Sequence, residues 1–227
     1  MSLFIVVAAG ESTDASIAAR LPTADAVIAA DGGLDQALKL GLEPTMLVGD
    51  LDSISAEGLK WAQDRQLPIE RHPQDKDATD LELALRIATE QADEVVVVDS
   101  GAGRFDHALG NLLLLGSSRW AAVELSAIAG GGLVTVVRRH RVLSGRAGDI
   151  VSLFAVGGGA TGVTTTGLRW ALEGAEVQPC SSLGTSNEMT GTEASVSVSD
   201  GVVFVLQPLG SAASGGPAGA LAREHDR

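Results

Sequence analysis

Four valines in succession, Val95–Val98, put apolar β-branched side chains on both sides of any strand they form. A strand dressed that way has no face for water, so it belongs inside a sheet covered on both sides. Phe4–Ala9 and Ala26–Ala30 are short apolar runs of the same kind, and Met46–Val48 is another that ends at Gly49-Asp50. Leu67–Arg71 and Val123–Ala129 are also strand-like. Between the runs, Ser55–Arg65, Thr79–Ala92 and Phe105–Ser118 read as helices. In the second of these, Leu81, Leu85, Ala88 and Ala92 form a stripe at helical spacing. Strands alternating with helices predict an α/β layered domain with a mostly parallel sheet.

After about Gly130 the period changes. Leu133–Val137, Ile150–Phe154, Gly162–Thr166, Ala194–Val198 and Val202–Leu206 are short β-type runs separated by Gly-rich turns, with no convincing helix among them. That pattern suits a β-sandwich or an open barrel, and the boundary falls between residues 130 and 140. From about Gly210 the chain is small, polar and rich in Gly and Pro, a composition expected to be disordered.

Bulk properties exclude several functions. A formal net charge of −13 argues against nucleic acid or an anionic membrane as the main partner. Any polyanionic substrate would then need metal ions or locally placed Arg and Lys. The single cysteine, Cys180, rules out an intramolecular disulfide and fits a reducing, cytoplasmic location. No apolar run reaches the roughly 20 residues of a membrane span. Met1-Ser2-Leu3-Phe4 lacks the charged start of a signal peptide.

The polar residues cluster where strands are expected to end. Asp31-Gly32-Gly33, Gly49-Asp50-Leu51-Asp52 and Ser100-Gly101-Ala102-Gly103-Arg104 each follow an apolar run. In open parallel sheets, ligands bind beyond those ends. Turn chemistry alone accounts for any one of these segments, though less readily for all three. Asp50 and Asp52, at i and i+2 on an extended segment, would point to the same side. Asp75, Asp77 and Asp80 add further carboxylates around a helix start, where Thr79 and Glu82 fit a capping box. Like charges repel unless a cation sits among them, and Mg²⁺ chooses such oxygens together with substrate phosphates. These features point to an enzyme acting on a phosphate-bearing substrate.

Two familiar nucleotide signatures are absent. None of the lysines, Lys39, Lys60 and Lys76, follows a G-x-x-x-x-G-K-[ST] loop, and Gly101-Ala102-Gly103 has no third glycine at 106. Arg104 could clamp a phosphate, with Asp106 and His107 as positioning groups. In the second half, Thr164-Thr165-Thr166-Gly167-Leu168-Arg169-Trp170 and Gly184-Thr185-Ser186-Asn187-Glu188 offer hydroxyls, an amide and a Trp face to a flat heteroaromatic ligand. Ordinary strand-surface threonines and a turn explain the same residues without a ligand.

Taken in order, Ala30–Gly33, Val48–Ser53, Asp75–Asp80, Gly103–His107, Thr166–Trp170 and Thr185–Glu188 resemble the thiamine pyrophosphokinase family. The resemblance implies a three-layer, Rossmann-like α/β catalytic domain over 1–133 and an all-β sandwich that binds thiamine over 134–209, with a disordered tail over 210–227. It implies transfer of the pyrophosphoryl group of ATP to the thiamine hydroxyl, releasing AMP, by a homodimer with shared active sites. Carried over by position, Asp50, Asp52 and Asp80 would hold Mg²⁺, with Asp31 nearby. Asp31, Lys76, Thr79, Arg104 and Asp106 would serve the nucleotide. Ser186 and Asn187 would hydrogen-bond the aminopyrimidine, with Trp170 and Leu168 in the same pocket region. A pyrophosphokinase for a hydroxymethyl pterin and a non-catalytic ATP-binding sensor are the competing readings.

Overall fold

The computed structural model describes residues 1–10, 15–99, 101 and 104–210. The chain forms two compact units: Met1–Ala19, Thr23–Leu114 and Ala122–Gly130 in the first, and Arg20–Pro22, Leu115–Ala121 and Gly131–Arg227 in the second. Residues 11–14, Ser100, Ala102 and Gly103 of the segment before Arg104, and the tail beyond Gly210 lie outside the described residues.

In chain order the first unit contains β1 (Leu3–Val7), β2 (Ala26–Ala30), α1 (Gly33–Lys39), β3 (Met46–Gly49), α2 (Ala56–Asp64) and β4 (Ile69–Arg71). Then come α3 (Asp80–Gln91), β5 (Glu94–Asp99), α4 (Phe105–Leu115) and β6 (Glu124–Ala129). The strands run in the order β6-β5-β1-β2-β3-β4, and every adjacent pair is parallel. Ile5 stands opposite Val27 on one side and Val96 on the other. Val95–Val98 are at most 2% exposed, as a strand apolar on both faces requires. Each such side chain contributes roughly 1.5–3 kcal/mol when fully buried. Helices α1 and α3 pack on β1 and β2, and Ala29, Leu34, Leu47, Ala62 and Leu67 form a core beneath α2.

The second unit holds β7 (Gly132–Val137), β8 (His140–Ser144), β9 (Ile150–Ala155), β10 (Ala160–Thr166), β11 (Ala175–Val177), β12 (Asn187–Glu188), β13 (Glu193–Ser197) and β14 (Val203–Pro208). They form two antiparallel groups, β12-β9-β14-β7 and β11-β10-β13-β8. Both groups feed one core, with Val137, Leu153 and Val205 from the first and Leu143, Val163 and Val196 from the second.

The differences from sequence expectation lie at short or edge elements. Helix α1 begins on two glycines, a pattern that reads as a turn. Strand β8 carries His140 and Arg141 and pairs only with β13, so its polar face hides the strand signal. Strand β12 has two residues. Helix α4 ends at Leu115, and a short 3₁₀ turn over Ser118–Trp120 follows.

Candidate functional site

The acidic residues gather where parallel strands of the first unit end. Asp31 follows β2, Asp50 and Asp52 follow β3, and Asp80 opens α3. One carboxylate oxygen from each of Asp31, Asp50 and Asp52 lies within 4.8 Å of the others. Asp80 is not in that trio, but its carboxylate is close by. A Cβ placed on Gly49 would stand 3.0 Å from Asp31 Cβ and 3.1 Å from Asp80 Oδ1. With φ near +144° as well, Gly49 holds a conformation and a clearance that a side chain would spoil.

Residues 50–52 form a turn, not the extended segment expected. Leu51 has φ near +72°, and Asp52 N–H donates to Asp50 Oδ1 at 3.2 Å. The two carboxylates are thus brought together by an aspartate-stabilised turn. Asp52 is oriented further by Ser53 Oγ–H at 3.0 Å and by Gln74 Nε2 at 2.7 Å. Gln74 carried no sequence signal. Asp35 is another unforeseen contributor: it accepts from Ser55 N at 2.8 Å and Ser55 Oγ at 2.6 Å. Ser55 Oγ in turn caps α2 by accepting from Gly58 N, which fixes the exit of the acidic turn.

Asp31 and Asp50 are pushed in opposite directions. Asp31 is 5% exposed, and its Oδ1 has no hydrogen-bond partner among the described residues. Burial pushes its carboxyl above the ordinary value. The Ser53 hydroxyl and the Gly32 amide pull the other way, while the Asp80 and Asp50 charges push it up. Asp50 is lowered instead, chiefly by its hydrogen bond from Lys76. Lys76 Nζ lies 3.0 Å from Asp50 Oδ2 and 3.1 Å from Asp80 Oδ1. Burial alone would lower the lysine, but the bonds to Asp50 and Asp80 outweigh it, and the net shift is upward.

Thr79 caps α3 as its sequence predicts, its Oγ1 accepting from Glu82 N at 3.2 Å. Asp80 therefore sits in the first turn, where the helix dipole favours negative charge. Arg104 and Asp106 grip each other through two bonds, Nε–Oδ1 at 3.1 Å and Nη2–Oδ2 at 2.5 Å. Both are exposed, and the pairing holds the Asp106 carboxyl down to about 2. His107 is exposed beside them.

In the second unit, Asn187 is 3% exposed and its amide is largely committed to the backbone. Its Oδ1 accepts from Trp170 N at 3.1 Å and Glu188 N at 2.9 Å, and its Nδ2 donates to Trp170 O at 2.7 Å. One amide N–H is left for anything else. Leu168 is buried and bridged to Met189, whereas Trp170 is 53% exposed. Arg169 stacks 4.9 Å over the Trp170 ring and pairs with Glu188 at 2.9 Å. Ser186 is exposed, and its N–H donates to Ser152 Oγ. The threonine hydroxyls offered by the sequence serve the fold. Thr164 Oγ1 accepts from Gly174 N, Thr165 Oγ1 from Leu172 N, and Thr166 Oγ1 bonds Ser195 Oγ.

Two family models match the chain in order. The thiamin pyrophosphokinase catalytic domain matches residues 18–125, and the thiamin pyrophosphokinase vitamin B1 binding domain matches residues 139–203. The chain is similar to thiamine pyrophosphokinase of Bacillus subtilis (strain 168), 25% identical over 183 residues, covering 79% of this chain and 86% of that one. It is 28% identical over 160 residues to thiamine pyrophosphokinase 1 of Oryza sativa subsp. japonica, covering 66% of this chain but only 61% of the rice protein. The crystal structure of thiamin pyrophosphokinase from Geobacillus thermodenitrificans superposes with a TM-score of 0.76 at 27% identity, covering 93% of this chain and 99% of that one.

Proposed function

The chain belongs to the thiamine pyrophosphokinase family, and from that premise we propose that it transfers the pyrophosphoryl group of ATP to the hydroxyl of thiamine, giving thiamine diphosphate and AMP. The observation that carries this reading is the trio of Asp31, Asp50 and Asp52, with a buried Asp31 oxygen that lacks a protein donor. Such an oxygen is costly to bury unless a cation meets it. Hard carboxylate oxygens at this spacing fit Mg²⁺. Asp31, Asp50 and Asp52 would hold it, with Asp80 beside them. When bound, Mg²⁺ supplies the charge that neutralises the phosphate oxygens during transfer.

The chain's own residues do the rest. Transfer needs in-line positioning of the thiamine hydroxyl against the β-phosphorus, more than covalent help. Lys76 would turn its ammonium from Asp50 and Asp80 toward the phosphates, keeping positive charge on the same spot. Arg104, released from Asp106, would add a bidentate donor pair. Thr79 caps α3, whose N-terminal end would favour a phosphate group. Asn187 keeps the Trp170 backbone in place and has one amide proton free for the aminopyrimidine. Trp170 and Ser186 would line the same pocket region, together with the buried Leu168.

The finer architecture belongs to the same reading: a three-layer, Rossmann-like α/β domain over 1–133 and a thiamine-binding β-sandwich over 134–209. We place the protein in the cytoplasm, consistent with its single cysteine. Among the described residues no helix is long and apolar enough to cross a membrane. A homodimer with shared active sites is supported by α4, where Phe105, Leu109 and Leu113 lie on one helical face and are 77%, 44% and 52% exposed. Light scattering on the wild type and on Leu109→Glu/Leu113→Glu tests it: a dimer that the pair of substitutions splits agrees, and a monomeric wild type refutes it.

The match to a vitamin B1 binding domain favours thiamine over a hydroxymethyl pterin as acceptor. AMP release from ATP, measured with thiamine and with the pterin alcohol, decides between them. Release with thiamine alone supports the proposal. ATP binding with no AMP formed supports the sensor instead.

A further inference from the structure

Asp99, the last residue of β5, has no part in the site described so far. It is 7% exposed, yet both its carboxylate oxygens are used. Oδ1 accepts from Gly101 N–H at 2.9 Å, and Oδ2 accepts from Asn111 Nδ2 at 2.8 Å. Both donors are neutral, so neither bond brings a countercharge to this buried side chain, an expensive way to stabilise a turn. A carboxylate does bring two strong acceptors that bind in two directions at once.

What those two bonds join is specific. Gly101, at φ near +62°, is pressed against the end of β6. A Cβ there would lie 2.5 Å from Gly130 N. Asn111 belongs to the second turn of α4, and Arg104 immediately precedes that helix. Asp99 therefore ties Gly101, beyond the exit of β5, to the body of α4, the helix that Arg104 directly precedes.

We infer that Asp99 is a positioning residue that sets, through Gly101 and Asn111, where Arg104 and the first turn of α4 meet the nucleotide. The inference rests on the proposed ATP-dependent reaction. A purely architectural carboxylate would change stability without distinguishing the two substrates.

The test compares steady-state kinetics of Asp99→Ala, Asn111→Leu and the exchange Asp99→Asn/Asn111→Asp with wild type, each checked for folding by circular dichroism. A misplacement of about 1 Å caused far from the chemistry can cost on the order of 100-fold. The expected result is a rise of about tenfold or more in KM for ATP in both single variants, with KM for thiamine within about twofold of wild type. In the exchange, the amide at 99 accepts from Gly101 N–H and donates to the carboxylate at 111, so KM for ATP returns toward wild type. An unchanged KM for ATP in folded Asn111→Leu overturns the inference, as do equal rises for both substrates or an exchange no better than the single variants. A wild type that binds ATP but forms no AMP refutes the proposed reaction, not this role. The same comparison of ATP dissociation constants then decides the role of Asp99.

Discussion

Lys76 Nζ stands 3.0 Å from Asp50 Oδ2, and the same ammonium lies 3.1 Å from Asp80 Oδ1. One lysine thus bridges two of the carboxylates that crowd this sheet edge. All three side chains are mostly buried, at 14%, 13% and 22% exposure. The pair is therefore less screened than a surface ion pair.

Lys76→Met should destabilise the metal-free protein by on the order of 2 kcal/mol, the usual cost of losing hydrogen bonds to charged groups. The pH dependence has a definite sign. Asp50 is lowered from 3.8 in the folded state, so its contribution is present above that value and lost as pH falls through the depressed one. Lys76 is raised from 10.5, so its contribution is present below that value and lost as pH rises through the folded one. Urea unfolding from pH 3 to 11 should show the wild-type advantage over Lys76→Met across the middle of the range and its decline at both ends.

Asp31→Asn should do the opposite. The Asp31 carboxyl is raised from 3.8, chiefly by burial, so ionisation costs stability as pH rises from 3.8 through the folded value. Above that range the neutral amide removes the cost. Metal-free Asp31→Asn should melt a few degrees higher at pH 7, since one kcal/mol moves Tm by roughly 2–4 °C at this size. Mg²⁺ should raise the wild-type Tm and leave the variant nearly unmoved. Differential scanning calorimetry with and without Mg²⁺ checks both halves.

Much of this arrangement was legible from residue order, because buried parallel strands announce themselves. Val95–Val98 read as an interior strand and Thr79 as the start of a helix, and the fold has both. The sequence offered Asp50, Asp52 and Asp80 as the cation ligands with Asp31 nearby, whereas the carboxylates that lie within 4.8 Å of one another are Asp31, Asp50 and Asp52. Their mutual geometry was not legible. It depends on the left-handed turn at Leu51, the side-chain-free space at Gly49 and the reach of Gln74, which are properties of the folded backbone. Likewise, no pattern distinguishes a ligand-facing threonine from Thr164 or Thr165, whose hydroxyls cap neighbouring backbone amides.

Asn187→Ala should act through Trp170. The truncation leaves Trp170 N–H and C=O without their amide partner and removes the amide proton proposed to meet the aminopyrimidine. An unpaired buried group costs about 1–3 kcal/mol, and each 1.4 kcal/mol is tenfold in affinity. Thiamine should bind about tenfold or more weakly while ATP binding stays near wild type. Equal losses measured by fluorescence titration of the two ligands would move the thiamine pocket elsewhere.

Asp31, Asp50 and Asp52 are expected to hold a divalent cation that tethers the triphosphate. The most direct measurement is calorimetric titration of a non-hydrolysable ATP analogue into wild type and into Asp52→Asn, each with and without Mg²⁺. Mg²⁺ should tighten binding by about tenfold or more in wild type and do little in Asp52→Asn. The same tightening in both proteins, or none in either, would contradict that expectation.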